Sequence, residues 1–193
     1  MGKSINAFLA KAGSLIVQLK ERADVSPYIV SELTALFREV KEAMEKIKEL
    51  ETNIDSIAKT LKQYDLFRSA PGVGPITAAT MLVLLCNPAV FKNGREFAAY
   101  IGLAPKSSGS GGKNFVTHIP KKCECNNDVR ALLVQCAHSI CRCKHKSDWV
   151  SSILARKPKK VAIIAIANKL ARQLWIMAKK GEKFEKRFIL AAV

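Results

Sequence analysis

A loop of small residues in "APKSSGSGGKNF", residues 104–115, is the segment best suited to chemistry. Lys106 and Lys113 flank its serines and glycines. Backbone N–H groups of such a loop, together with ammonium groups, can hold a phosphate. A serine held beside that phosphate could attack it. Composition alone favours a flexible linker instead, and the loop contains no obvious general base, so both alternatives stay open.

A glycine-rich turn in "APGVGPITAATMLVLL", residues 70–85, is the second candidate site. Gly72 and Gly74 stand between two predicted helices, and glycine allows positive φ and close backbone approach. The unpaired amides that open the following helix favour an anion. Helix–hairpin–helix motifs grip a phosphate strand with this pattern. We therefore predict phosphate contact at both glycines, with a purely packing turn as the alternative.

Cysteine and histidine spacing raises the question of a zinc site. The pairs Cys123 and Cys125, and Cys141 and Cys143, are C-x-C rather than the common C-x2-C. The second pair and His138 also fall on a predicted helix, where residues two apart point in different directions. We therefore expect reduced thiols and no metal ligands.

Positive charge is concentrated in the second part of the chain. The net charge is +16. Residues 1–60 hold nine basic and nine acidic residues, and residues 61–193 hold 23 basic and 7 acidic ones. This body is expected to meet a polyanion. Further predicted nucleic-acid contacts, with solvated turns or helix packing as alternatives, are Lys121, Lys122, Arg130, the run 156–160, Lys169 and Arg172.

A heptad repeat runs from Ile29 to Tyr64, with Glu and Lys between the apolar positions. About five heptads predict one long helix from Pro27 to about Phe67, with Ser26 as its N-cap. Such a stripe needs a partner helix. Either residues 4–22 fold back on it, or a second copy of the chain forms a homo-oligomer.

The body is predicted to be helical, which makes the fold class mainly α. A coiled-coil arm (1–67) precedes a small basic domain with a helix–hairpin–helix motif (68–193). Trp149 and Trp175 are expected in its core rather than as stacking platforms. Predicted elements are helices at Ile76–Leu85, 94–101, from Asn127 or Asp128 through His145, and Val161 to about Lys180 capped by Gly181, with a loop at 104–115 and a short strand or extended segment at 113–119.

No apolar run approaches the roughly 18 residues that a membrane span needs, and the longest runs from Ala78 to Cys86. The amphipathic N-terminus is too polar for a secretory signal. The sequence therefore predicts no membrane partner and a cytoplasmic, nucleoid-associated protein of a bacterium.

Three segments in order carry a family resemblance: "PGVGPITA", "FAAYIGLAP…SGGK" and "WVSSILARKPKKVAIIAIANKLARQLW…KKG". Together they resemble the C-terminal half of transposases of the insertion sequence 110 / 1111 group. The tail, "R-x4-A-x2-A-x-ANK-x-AR-x2-W", is the most specific part and resembles the 1111 branch. The resemblance covers about residues 30–185.

That resemblance implies an RNA-guided recombinase of a mobile element. In the family, a RuvC-like domain with four acidic metal ligands works with a C-terminal domain whose serine forms a covalent link to DNA. Position in the SGGK segment makes Ser110 the candidate nucleophile, with Lys113 stabilising charge. Ser107 and Ser108 are the reserves, because "KSSGSGG" departs from the commoner "SSGG".

A RuvC-like domain would precede the heptad helix, and this chain starts almost at that helix. The acidic residues after position 60 are too scattered for a multi-carboxylate metal site. We therefore expect a truncated transposase, a degenerate gene copy or a separately expressed C-terminal portion, which alone binds without completing recombination. Mg²⁺ is expected only with the missing domain.

Two other functions stay open beside DNA binding and DNA transposition. One is a non-catalytic helix–hairpin–helix module that dimerises and binds DNA. The other is a structural helical protein with a different acidic partner. A structured guide RNA is a further expected ligand if the chain acts in DNA transposition.

Overall fold

The computed structural model describes residues 2–22, 24–61, 63–105, 107–110, 113–116, 126–144 and 146–184. Within these ranges the protein is mainly helical, which confirms the predicted fold class. It forms two compact units, Met1–Asn53 and Ile54–Val193; the predicted boundary at 67/68 lies inside the second. The elements are α1 Gly2–Lys20, α2 Pro27–Ala58, α3 Tyr64–Arg68, α4 Pro75–Leu84, a 3₁₀ turn Pro88–Val90, α5 Gly94–Tyr100, β1 Ser107–Ser110, β2 Lys113–Val116, α6 Asn127–Arg142, α7 Asp148–Arg156 and α8 Lys159–Lys180.

The heptad stripe of the first unit is open to solvent. Leu33 is 38% exposed and Leu36 is 56% exposed. α1 does contact α2, because a Cβ added to Gly13 would lie 3.3 Å from Phe37 Cζ. The stripe stays exposed all the same, so α1 is not its cover.

The predicted single helix from Pro27 to about Phe67 is wrong at its C-terminal end. α2 stops at Ala58 and the chain turns before α3. The Thr60 hydroxyl donates to the Ile57 carbonyl at 2.7 Å. The Tyr64 hydroxyl donates to Asp55 Oδ1 at 2.5 Å, and the rest of its side chain is fully buried. Tyr64 therefore continues the heptad spacing in sequence while serving a different core.

Helix α8 is the centre of the second unit. Its buried side chains, including Ile166, Leu170 and Leu174, pack against α3, α5, α6 and α7. Among the described residues, α8 is the one helix long and apolar enough to cross a membrane, and 61% of its most apolar window is buried inside the protein. Gly181, at φ 70°, is its C-cap, as predicted.

Two boundaries near α8 differ from the prediction. The run 156–160, predicted as a loop, contributes Lys159 and Lys160 to the first turn of α8. The preceding helix α7 was not predicted at all. It begins where the Ser147 side chain accepts a hydrogen bond from the Val150 amide, an N-cap arrangement that satisfies one unpaired helical donor.

The predicted loop over 104–115 is wrong for its serines, since Ser107–Ser110 forms β1. The predicted extended segment is confirmed where Lys113–Val116 forms β2. The strands pair antiparallel, with Ser110 opposite Lys113. Backbone pairing overrides the loop composition here. Gly111 and Gly112 lie outside the described residues.

Candidate nucleic-acid interface

The glycine turn joins α3 to α4 and rests on α6. Gly72 has φ 76°, a left-handed conformation that suits glycine. A Cβ there would lie 2.7 Å from the Cys136 carbonyl oxygen and 2.9 Å from Ile140 Cγ1. Arg68 Nη1 fixes the turn by donating to the Val73 carbonyl at 2.7 Å. Gly72 therefore packs closely against α6, and the phosphate contact predicted at this glycine stays a prediction.

Gly74 stands in a different environment, although it is two residues away. It is the N-cap of α4 with φ −88° and ψ 176°, and no side chain caps the helix there. A Cβ added to Gly74 would meet nothing within 4 Å. Pro75 has no N–H, so Ile76 and Thr77 carry the first-turn amides for which no earlier carbonyl is available. The helix start is thus uncapped and sterically open at Gly74.

Cys136 lies behind the turn and links it to α6. Its thiol donates to Thr77 Oγ1 at 3.5 Å, and burial raises the pKa of the thiol. Cys136 is a free thiol, as are the three other cysteines in the described ranges. In those ranges no three His, Cys, Asp or Glu side chains form a group that could hold a metal ion.

A group of exposed cations lies where α6 ends and α8 begins. We call it the cationic corner. Burial raises the pKa of the Cys141 thiol, and the charges of Lys146 and Lys159 act against that rise. Both lysines therefore lie near the same thiol, although Lys146 precedes α7 and Lys159 begins α8. The corner consists of Arg142, Lys144, Lys146, Arg156, Lys157, Lys159 and Lys160, all exposed.

An open, largely apolar cleft of about 510 Å³ connects the glycine turn to the cationic corner. Pro71 and Gly72 line it at the turn, and Cys143 and Lys146 line it at the corner. The chain after α8 returns to this region, because the Phe184 amide donates to Ser69 Oγ at 2.8 Å. Turn, cleft and corner are therefore continuous.

The most specific sequence motif, "ANKLARQLW", holds α8 to the rest of its unit. Asn168 Nδ2 donates to the Leu103 carbonyl at 3.0 Å. Leu103 follows Gly102, which has φ 76° at the end of α5, and their amides close a Schellman motif on Ala99 and Ala98. Asn168 thereby fixes the chain that leads into β1.

Trp175 connects α8 to the 3₁₀ turn at Pro88–Val90. It is buried, as predicted, and its Nε1 donates to the Pro88 carbonyl at 3.0 Å. The backbone of Arg172 packs against Gly94, where an added Cβ would lie 3.2 Å from Arg172 Cα. The side chain of Arg172, a predicted nucleic-acid contact, is partly exposed.

Lys169 is the predicted contact residue whose placement differs most from a surface lysine. Its side chain is 7% exposed, and Nζ lies 4.0 Å from the centroid of the Trp149 ring. Burial, and secondly the charge of Arg172, lower the pKa of its ammonium group. Trp149 itself is half-buried beside the core. Lys169 thus lies in the cleft rather than on an outer face.

The other predicted site residues lie on the two strands, on α6 or outside the described residues. The structure gives Ser107, Ser108, Ser110 and Lys113 as strand residues. Arg130 is half-buried on α6. Lys106, Lys121 and Lys122 lie outside the described residues.

Sequence reasoning missed the first half of the cationic corner. It singled out the run 156–160 but not Arg142, Lys144 and Lys146. The basic spacing in "CRCKHK" (141–146) was the available signal. Because α7 was not predicted, nothing in the sequence brought the two runs together.

Comparison with known proteins relates this architecture to a family. Residues 64–150 match the family model described as Transposase IS116/IS110/IS902 family. The chain is similar to that transposase family through this segment, which is a little under half of its length.

Individual relatives extend the similarity to both units. A Yersinia enterocolitica protein, the transposase for insertion sequence element IS1328, is 31% identical over 89% of this chain and 52% of its own length. The Sinorhizobium fredii protein y4pF/y4sB, named as a transposase, is 35% identical over 91% of this chain and 47% of its own. The Coxiella burnetii transposase for insertion sequence element IS1111A is 28% identical over 88% of this chain and 47% of its own length. The chain spans about half the length of these relatives.

Proposed function

We propose that this chain is a DNA-binding part of an insertion-sequence transposase, acting in DNA transposition in the cytoplasm. One observation carries the proposal. The cleft joins the glycine turn, at Pro71 and Gly72, to the cationic corner, and among the described residues that line the cleft one side chain, Asp148, is acidic. Such a surface suits a phosphate backbone, whose contacts position a protein without reading sequence.

Within a complete recombinase, we propose Ser110 as the nucleophile. Its Oγ would bond to the scissile phosphorus, the bond from phosphorus to the departing strand oxygen would break, and the serine proton would pass to that oxygen. Two features support this assignment. Lys113 is the register partner of Ser110, and Asn168 anchors the chain entering β1. Any Mg²⁺-dependent step belongs to the proposed RuvC-like domain.

Self-association is proposed through the heptad stripe of α2. Its apolar residues are exposed in the single chain, and a second copy offers the same stripe with glutamates and lysines beside it. A structured guide RNA is the further proposed ligand of the assembled recombinase, because its phosphates suit the same cationic groups.

A non-catalytic helix–hairpin–helix DNA-binding dimer is the second candidate function. The observation that favours it is the uncapped start of α4 beside Gly74, where amides and the helix dipole attract a phosphate. The two candidates differ at Ser110. Replacing the matching serine by alanine in a full-length relative abolishes DNA joining if the serine is the nucleophile, and leaves joining intact if this domain only binds.

The DNA-binding proposal is tested by a salt series on duplex DNA with two charge-matched variants. Lys157→Gln/Lys160→Gln removes two charges from the cationic corner. Lys179→Gln/Lys180→Gln removes two from the last turn of α8, about 30 Å away at 1.5 Å rise per residue.

Each lost phosphate contact is expected to lower the slope of log affinity against log salt by about 1. The corner variant should therefore lose about two units of slope, and the control variant should keep the parent slope. Equal losses in both variants would show that the corner is not the binding surface. Absence of binding at low salt would refute DNA binding altogether.

A further inference from the structure

The cleft beside the glycine turn combines an apolar interior with a few buried polar groups. Ile166 and Leu170 of α8 contribute apolar surface, and Trp149 of α7 contributes an aromatic ring. Its volume, about 510 Å³, falls in the range of small-molecule sites, roughly 300–1,000 Å³. The cleft can therefore admit a group of ligand size.

Two polar side chains of α8 lie in this cleft and are almost fully buried. Lys169 is 7% exposed and Gln173 is 6% exposed. Both also interact within the protein. An ammonium group has three donors, and an amide has donors and an acceptor. The rim carries Lys146 and one carboxylate, Asp148, so the two lysines leave the cleft positive.

The surroundings of the cleft indicate what kind of molecule enters it. The glycine turn lies at one edge, with its open helix start, and the cationic corner lies at the other. A nucleic-acid strand held at both places would cross the mouth of the cleft. We propose that the cleft receives one unpaired nucleobase of that strand, placed beside Trp149 and within reach of Lys169 and Gln173.

A nucleobase matches this chemistry better than an aliphatic side chain does. It has a flat apolar face for the aromatic ring and a polar edge for buried donors and acceptors. Its phosphates suit the positive rim. A base that is already unpaired avoids the unstacking cost of a few kcal/mol that extrusion from a duplex requires. The inference rests on the proposed DNA binding and adds a preference for nucleic acid that carries an unpaired base.

The test compares the full chain on three DNA duplexes of the same sequence: one fully paired, one with a single-nucleotide bulge, and one whose bulge is abasic. The abasic bulge keeps the bent backbone and the extra phosphate but lacks the base. We expect the base-containing bulge to bind about tenfold tighter than the abasic one, since stacking on an aromatic side chain is worth roughly 1–3 kcal/mol per base.

Two variants assign that preference to the cleft. Trp149→Ala should erase the preference, so that the base-containing and abasic bulges bind equally. Trp149→Phe keeps an aromatic ring and should retain most of the preference. This variant is measured in place of Trp149→Ala if circular dichroism shows that the alanine variant does not fold.

Three outcomes overturn the inference. Equal binding of the base-containing and abasic bulges would overturn the inference. In that case, binding to the paired duplex would still support the separate DNA-binding proposal. A preference that survives in both Trp149 variants would place base recognition elsewhere. No binding to any of the three duplexes at low salt would refute the inference together with the DNA-binding proposal.

Discussion

The two glycines of the turn should differ in how strongly replacement by alanine lowers the stability of the protein. At Gly72, alanine must adopt φ 76° and place its methyl group 2.7 Å from the Cys136 carbonyl oxygen. The left-handed conformation costs roughly 1–2 kcal/mol, and overpacking against a fixed backbone costs typically 1–3 kcal/mol. Gly72→Ala should therefore lower the free energy of unfolding by about 2–5 kcal/mol.

Gly74→Ala provides the matched control. Its φ of −88° is allowed for alanine, and the added Cβ meets nothing within 4 Å. Alanine is a poorer N-cap than glycine, which lowers stability. Alanine also reduces the conformational entropy of the unfolded chain, which raises stability by a comparable free energy. The free energy of unfolding should therefore change by less than about 1 kcal/mol.

Urea unfolding followed by tryptophan fluorescence measures this difference where it matters, because Trp149 and Trp175 both belong to the second unit. The same variants then enter the DNA-binding assay. Gly74→Ala should weaken DNA binding without loss of stability, since its methyl group would obstruct a phosphate at the start of α4. A Gly72→Ala variant as stable as the parent, or a Gly74→Ala variant less stable than Gly72→Ala, would contradict the packing seen at Gly72.

Two further predictions concern stability. Trp175→Phe removes the donor to the Pro88 carbonyl and should cost about 1–3 kcal/mol in urea unfolding followed by circular dichroism; an unchanged midpoint would mean that this hydrogen bond contributes nothing. Burial, followed by the hydrogen bond to Asp55, raises the pKa of Tyr64 from its usual value near 10 to about 12. Because the unfolded chain releases this proton first, the stabilising effect is complete below pH 10 and is lost as the pH rises towards 12. Unfolding at pH 8 and pH 11 should show a smaller alkaline loss in Tyr64→Phe than in the parent, and equal losses would contradict the raised pKa.

Local patterns in the sequence predicted most helices and the end of α8 correctly. They failed where tertiary contacts decide. The heptad spacing continues past Ala58, where α2 ends, so the sequence predicted one unbroken helix. Tyr64 keeps this spacing but is buried in the core of the second unit. The serine segment has loop composition, yet backbone pairing makes part of it a strand.

The candidate site was only partly predictable for the same reason. Sequence spacing treats Gly72 and Gly74 alike, because only the position of α6 makes one of them crowded and leaves the other open. Lys169 belongs to a basic motif in sequence, but its ammonium group lies over Trp149, a contact that depends on the unpredicted α7. The cationic corner required that helix as well.

The most direct test of the proposed DNA surface uses two native cysteines as probes. Cys143 is exposed and lines the cleft at the cationic corner. Cys86 is also exposed but follows the other end of α4, about 15 Å from the glycine turn at 1.5 Å per residue. Variants that keep one of these two as the reactive cysteine can carry the same photoactivated cross-linker.

On illumination with bound duplex DNA, the account predicts efficient cross-linking from Cys143 and little from Cys86. Equal yields from the two positions, or a higher yield from Cys86, would contradict the claim that DNA lies along the glycine turn, the cleft and the cationic corner.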